Sequence, residues 1–256
     1  LAPDKKPVTA FKDHFSSQPE NYQKYRPRYP DSLYQWLASL TPATDMAWDC
    51  ATGNGQAALP LAGYFRQVIA TDGSEQQVKS AIKADNIHYD IARETCDRIE
   101  DSSTDLVAVA QALHWFDRPV FFREVARVLK PAGILAIWSY NLLQIEPGID
   151  QLVSDFYHQT VGKYWPAERQ LVEQAYGAIT LPFESIATPD FEMSEYWQRE
   201  QLIGYINTWS AVKRYREDRG SDPLPELENR LRALWPDEKH LAAHWPLTVK
   251  VSRKPQ

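Results

Sequence analysis

The chemistry-bearing residues begin with the segment Asp49-Cys50-Ala51-Thr52-Gly53-Asn54-Gly55 and, further along, Asp72. Gly53 and Gly55 let the backbone turn sharply and let a ligand lie against it with no Cβ between. The apolar run Met46-Ala47-Trp48 precedes the loop and a helical pattern follows it. That strand–turn–helix context suits a nucleotide-type ligand, and Gly53-x-Gly55-x-x-Ala58 meets a loose dinucleotide fingerprint. Charge separates the possibilities. A pyrophosphate would rest over this loop and the helix N-terminus behind it, where the Asp49 carboxylate repels phosphate and attracts a cation. Asp49 as a plain Asx-turn acceptor is the structural alternative. Asp72, at the end of a second strand pattern, is placed to accept two hydrogen bonds from a ribose diol.

His114 is the one histidine just past a buried strand pattern, Leu106-Val-Ala-Val-Ala110, at the edge where ligands bind in parallel sheets. It reads either as a general base or as a hydrogen-bonding group that fixes its loop. Trp115 and Phe116 beside it read as packing. The run Lys213-Arg-Tyr-Arg216 could meet an acidic substrate or could be solvated surface. Cys50 and Cys96 share no metal-ligand spacing with each other or with the histidines, so no metal site is expected.

These residues sit in a chain of 256 residues, 43% apolar, with nine Trp and thirteen Tyr. The aromatic excess supplies core area or lines a pocket. A net charge of −6 argues against a nucleic-acid partner, which needs a clustered positive field. No stretch has the length of a membrane span, and Leu1–Ala10 lacks an apolar leader region. Two cysteines imply no disulfide framework, so a cytoplasmic location is expected.

The elements that would position the site alternate strand and helix up to Tyr140, the signature of an α/β fold with a parallel sheet. Leu33, Trp36, Leu37 and Leu40 make a helical stripe. Helices are expected over 56–65, over 75–84 behind a Ser74/Gln77 capping box, and over 120–129. Strands are expected over 68–70, 87–89, 106–110 and 134–138. Past Tyr140 the pattern turns helical over 149–164, 168–178, 195–216 and 227–234. A strand is expected within 183–191 and a terminal one over 247–251, with a mobile loop near 216–225.

In order and spacing these segments resemble the class I S-adenosylmethionine-dependent methyltransferases. The closer likeness is to the small-molecule subgroup similar to the yeast trans-aconitate and cantharidin enzymes. Tyr25-Arg-Pro-Arg-Tyr-Pro30, Asp49-Cys-Ala-Thr-Gly-Asn-Gly-Gln56, Val68-Ile-Ala-Thr-Asp-Gly-Ser74, Ser103-Thr-Asp-Leu-Val107, Ala110-Gln-Ala-Leu-His-Trp-Phe-Asp117, Arg127-Val-Leu-Lys-Pro-Ala-Gly133 and Thr208-Trp-Ser-Ala211 carry it. The resemblance implies a Rossmann-like fold with a mostly parallel sheet, an antiparallel terminal strand and a helical C-terminal cap. It implies one domain over 1–256: core 31–140 plus 244–253, N-terminal lid 11–30 and cap 141–243.

Adenosylmethionine is then the implied cofactor, with Asp49, Ala51, Gly53, Gly55 and Gln111 around its methionine end. Asp72 would hold the ribose, Gly73, Ile91 and Ala92 the adenine, and Tyr25 and Arg26 would close over it. Ala51 departs from the pattern: the family has its first loop glycine there, and a methyl group is tolerated only at negative φ. The partner implied is a small-molecule methyl acceptor, recognised by residues 144–179 and 191–216. Transfer to a carboxylate is one reading. The alternatives are a cofactor-binding regulatory protein with a degenerate site and a nicotinamide-dependent oxidoreductase, the latter disfavoured by Asp49.

Overall fold

The computed structural model describes residues 25–256. The lid expected over 11–30 falls outside the described residues up to position 24. Five strands run parallel: β1 (Met46–Cys50), β2 (Gln67–Asp72), β3 (Ile87–Ile91), β4 (Thr104–Ala110) and β5 (Leu129–Tyr140). Three short strands follow, β6 (Glu184–Ile186), β7 (Ser194–Trp197) and β8 (Leu241–His244), and then β9 (Leu247–Arg253). The main sheet has the order β3-β2-β1-β4-β5-β9-β6. β9 is antiparallel to both of its neighbours.

Strand order reverses between β1 and β4, because the chain first builds outward to β3 and then returns to the other side of β1. The carboxyl ends of these two neighbours therefore open a crevice that no crossover covers. Both strands are buried on both faces, as their unbroken apolar runs require. Alternate residues feed two cores. Ala47, Val68, Leu106 and Ala136 face one cluster; Trp48, Ile69, Val107 and Leu135 face the other.

Helix α1 (Asp31–Leu40) covers the first face with Leu33, Tyr34 and Leu37; α2 (Ala58–Leu61) adds Ala58 and Leu61. α3 (Glu75–Ser80) follows β2, and the Ser74 hydroxyl accepts the Gln77 N–H as the capping pattern predicts. α4 (Arg118–Val128) covers the second face with Phe121, Val125 and Val128. The remaining helices are α5 (Pro147–Asp155), α6 (Arg169–Glu173), α7 (Arg199–Asn207), α8 (Ser210–Arg219) and α9 (Leu224–Leu234). Ile149, Leu202, Val212 and Leu231 of α5, α7, α8 and α9 join the first-face cluster, while Val172 of α6 joins the second. Among the described residues no helix is long and apolar enough to cross a membrane.

The region past Tyr140 departs from expectation in four ways. β6, inside the segment expected to be cap, joins the main sheet and covers β9, which would otherwise expose an edge. Residues 194–197 are strand, paired with β8, where a helix from 195 is expected. The helix expected over 168–178 ends at Glu173, because Ala175 and Tyr176 both take φ 52° and leave the helical region. The loop expected over 216–225 is mostly helical: α8 runs to Arg219 and Gly220 ends it at φ 64°.

At the amino end of the sheet Asp105 is fully buried and ties β4 to the entry of β1. Its Oδ2 accepts the backbone N–H groups of Asp45 and Met46, and its Oδ1 pairs with Lys130 Nζ at 2.8 Å. Lys130 also bonds Asp45, whose carboxyl it holds below the usual range. Asp105→Asn keeps the shape but replaces one acceptor oxygen with a donor facing N–H groups. Urea unfolding should show a loss of about 2–3 kcal/mol, the scale of hydrogen bonds to charged groups; a loss below about 0.5 kcal/mol would show that the pairing does not hold this edge.

Candidate active site

β1 ends at the crevice with Asp49, fully buried. The Thr52 hydroxyl donates to its Oδ2 at 2.5 Å, while the buried Oδ1 has no hydrogen-bond partner. Burial pushes the carboxyl up to about 7; the Thr52 hydroxyl pulls it down, the Asp72 charge raises it, and the Ala58 backbone N–H lowers it. Asp72 closes β2 beside it. The Gly53 N–H donates to Asp72 Oδ2 at 2.9 Å and the Ser74 N–H to Oδ1 at 2.8 Å.

The connecting loop is held by the Thr52 N–H on Thr71 O at 2.8 Å and the Gly55 N–H on Thr52 O at 3.1 Å. Gly53 (φ 57°) and Gly55 (φ 89°) are both left-handed. A side chain at Gly55 would also collide with the Tyr89 hydroxyl, whereas the space over Gly53 is open to 4 Å. Ala51 takes φ 58°, so the condition of a negative φ, under which a methyl group is tolerated there, is not met. An L-residue there costs about 1–2 kcal/mol. The loop bonds just named over-determine the turn and hold it against that strain.

Beyond the end of β4 a cleft opens between the sheet edge and the cap, about 540 Å³ counted out to its mouth. The core side contributes Gln111, His114 and Trp115; the segment before α1 contributes Arg26. Residues 144–179 supply Trp165, Pro166 and Arg169, and residues 191–216 supply Tyr205, Trp209 and Ser210. No Asp or Glu is among these lining residues. Gln111 is held at φ 57°, with its N–H on Trp138 O and its Nε2 on Tyr140 O.

His114 is buried, and its Nδ1 lies 2.9 Å from the Tyr176 hydroxyl. Burial and the Arg169 charge hold the imidazole down at about 3, so the ring is neutral at physiological pH. Burial likewise keeps the Tyr176 phenol protonated, and the His114 backbone N–H and the Ser139 hydroxyl act against that rise. A phenol oxygen that receives those donors turns its own proton toward Nδ1, which leaves the imidazole proton on Nε2.

Several residues named from sequence converge here. Arg26 donates to the Tyr140 hydroxyl at 2.8 Å and lies 5.2 Å from the Tyr205 ring centre. The Tyr25 ring packs on Gly204, where any side chain would clash with it. Pro27 O accepts from Gln56, and the Arg28 N–H donates to Glu195, so this short segment joins the glycine loop to the cap. Ile91 is 54% exposed beside Ala92, whose N–H donates to Asp72 O. Gly73 is partly buried after Asp72.

Other residues go elsewhere. Arg216 of the basic run pairs with Asp222, and neither it nor Lys213 lines the cleft. Cys50 is buried with its thiol pushed up, its Sγ against Arg93 O. The residues that sequence reasoning missed are Trp165, Arg169, Tyr176 and Tyr205. The one signal that marks any of them is the one-turn spacing of Trp165 and Arg169.

The fold and the crevice define a Rossmann-like α/β methyltransferase, and residues 48–137 match the methyltransferase domain family. A Dictyostelium discoideum protein with a methyltransferase assignment is 34% identical over 254 residues, 96% of this chain and 97% of that one. A Saccharomyces cerevisiae protein assigned as an S-adenosylmethionine-dependent methyltransferase is 30% identical, over 79% of this chain and 82% of its own. A solved structure described as a type II methyltransferase from Anaeromyxobacter dehalogenans superposes with a TM-score of 0.84 at 37% identity. It covers 91% of this chain and 100% of that one. The chain belongs to the class I, S-adenosylmethionine-dependent methyltransferase family.

The strain at Ala51 is directly measurable. Ala51→Gly removes the Cβ from a left-handed position, and the gain exceeds the extra freedom of an unfolded glycine. The melting temperature should rise by about 2–4 °C, the equivalent of roughly 1 kcal/mol in a chain of this size; a fall would show that the loop is relaxed with alanine in place.

Proposed function

We propose that the protein binds S-adenosylmethionine at the carboxyl ends of β1 and β2 and methylates a carboxylate oxygen of a small molecule held in the adjoining cleft. The unpartnered Asp49 Oδ1 fits the cofactor's α-ammonium, a cation that would satisfy a buried oxygen. The open space over Gly53 fits a ligand lying against the backbone. Asp72, at the end of β2, takes the ribose hydroxyls, and Ile91, Ala92 and Gly73 form the flat platform for the adenine. Gln111 flanks the methionine portion, Ala51 and Gly55 shape the turn beneath it, and Tyr25 and Arg26 cover it. Core, Arg26 segment and cap work as one domain.

Bound adenosylmethionine supplies an electrophilic methyl on sulfur: the acceptor oxygen gains that carbon as the carbon–sulfur bond breaks, leaving a neutral ester and a thioether with no proton released. The observation that carries the carboxylate reading is the cleft lining, two guanidiniums and no acid. His114, neutral and donating, orients the acceptor and takes no proton. A non-catalytic binder is the second reading, favoured only by the left-handed Ala51. Labelled cofactor with a panel of small acids and phenols separates them. Label released as methanol by mild alkali is expected; alkali-stable label overturns the carboxylate assignment, and no transfer to any compound favours the binder.

Asp49 also makes cofactor binding depend on pH. Its carboxyl is raised to about 7 in the ligand-free protein, so below that pH it holds a proton that must leave before a cation can pair with it. Calorimetry should show adenosylhomocysteine binding tighten by up to about tenfold per pH unit from about pH 5.5 to 7, then level off. Asp49→Asn should bind weakly and lose this dependence. A flat profile in the wild-type protein would place the ammonium elsewhere.

A neutral His114 leads to the opposite expectation for turnover. With its imidazole held near 3, no histidine limb enters the working range. Turnover at saturating cofactor should be flat between about pH 6.5 and 8.5, and His114→Gln should retain at least about a tenth of it. A loss of about 10²–10⁴-fold with a limb near the ordinary histidine value would make His114 a general base.

A further inference from the structure

Arg169 is the least compensated charge in the cleft. It is half-buried, lines the cavity and makes no ion pair with any described Asp or Glu. Its Nε donates to the Tyr157 hydroxyl at 3.0 Å, and that hydroxyl donates onward to Glu173 at 2.5 Å. The guanidinium is thereby oriented through a phenol, without a carboxylate against it. Its plane lies 5.2 Å from the centre of Trp165 and 5.9 Å from that of Tyr157. With Nε engaged, its terminal nitrogens remain as the fork that carboxylates match.

Around this fork the walls are aromatic. Trp165 and Trp209 have ring centres 5.5 Å apart, and Trp209 meets Tyr205 edge-on at 5.8 Å. Trp115 closes the core side. Such rings offer flat faces and edges at fixed angles, which favour a planar body over a branched, heavily hydrated one.

We propose that Arg169 anchors the methyl acceptor and that the acceptor is an aromatic carboxylic acid, its ring against the wall that Trp165, Trp209 and Tyr205 make. This rests on the methyltransferase reading given above. Arg169 holds one carboxylate oxygen through a terminal N–H, and the other oxygen forms the new bond to the methyl carbon. The ester that results carries no charge, loses its pairing with Arg169 and leaves.

The test uses the full chain saturated with adenosylhomocysteine and titrated with 2-naphthoate, 2-naphthamide and tricarballylate, followed by calorimetry and tryptophan fluorescence. The acid should bind at least about tenfold tighter than its neutral amide and than the aliphatic tricarboxylate, and should quench tryptophan emission. Arg169→Gln should weaken 2-naphthoate by about 10- to 100-fold, leave 2-naphthamide and adenosylhomocysteine unchanged, and be partly rescued by Arg169→Lys. Equal binding of acid and amide, tighter binding of tricarballylate, or an Arg169→Gln protein that holds 2-naphthoate as the parent does would overturn the proposal. Failure of the parent protein to bind adenosylhomocysteine would instead overturn the methyltransferase reading beneath it.

Discussion

Burying Asp49 at the carboxyl end of β1 places an acid with one unsatisfied oxygen where the strand order reverses. Raising a carboxyl from its ordinary range to about 7 corresponds to on the order of 4 kcal/mol against the charged form. The fold tolerates this because the surrounding elements are fixed by other means. Strands β2 and β4 flank β1 on both sides, and the Asp105–Lys130 pair secures the opposite end of β4. The glycine turns, the left-handed Ala51 and the capped start of α3 all adjust to that one acid. The space over Gly53 stays open beside it.

The charges divide along the crevice. Asp49 and Asp72 mark the end under the glycine loop; Arg26 and Arg169 mark the cleft beyond Gln111. On the proposed function, this division draws a cationic donor and an anionic acceptor to opposite ends of one site, with their reacting atoms between them. Held proximity and alignment can account for several kcal/mol of a displacement barrier. The strained backbone at Gln111, at the junction of the two ends, keeps an amide side chain at that meeting point. Donors at the acceptor end fit the proposed carboxylate, which needs partners and no base.

Much of this was legible in the sequence where local rules act alone. The buried strands, the Ser74 cap, the glycine turns and the last strand follow from periodicity and residue type, while the antiparallel direction of that strand came from the resemblance. Asp49, Asp72 and His114 could be named because each sits at a strand end, where an α/β sheet keeps its ligands, and Gln111 came from the resemblance. The cap was less readable, since its order depends on contacts distant in sequence. Tyr176 and Ala175 break a helical pattern by going left-handed, which carries the phenol onto His114, and β6 forms because β9 has an edge to cover. Arg169 gave little signal, as nothing local shows which surface arginine lacks an acid. The neutral state of His114 could not be read at all, because it depends on burial and on Arg169 from another element.

One measurement reaches the central claim directly, a crystal structure of the protein with adenosylhomocysteine bound. The account predicts the α-ammonium within hydrogen-bonding distance of Asp49 Oδ1, the ribose hydroxyls on Asp72 and the thioether sulfur facing the cleft of Arg26 and Arg169. A ligand whose carboxylate lies against Asp49, or whose sulfur faces away from that cleft, would contradict it.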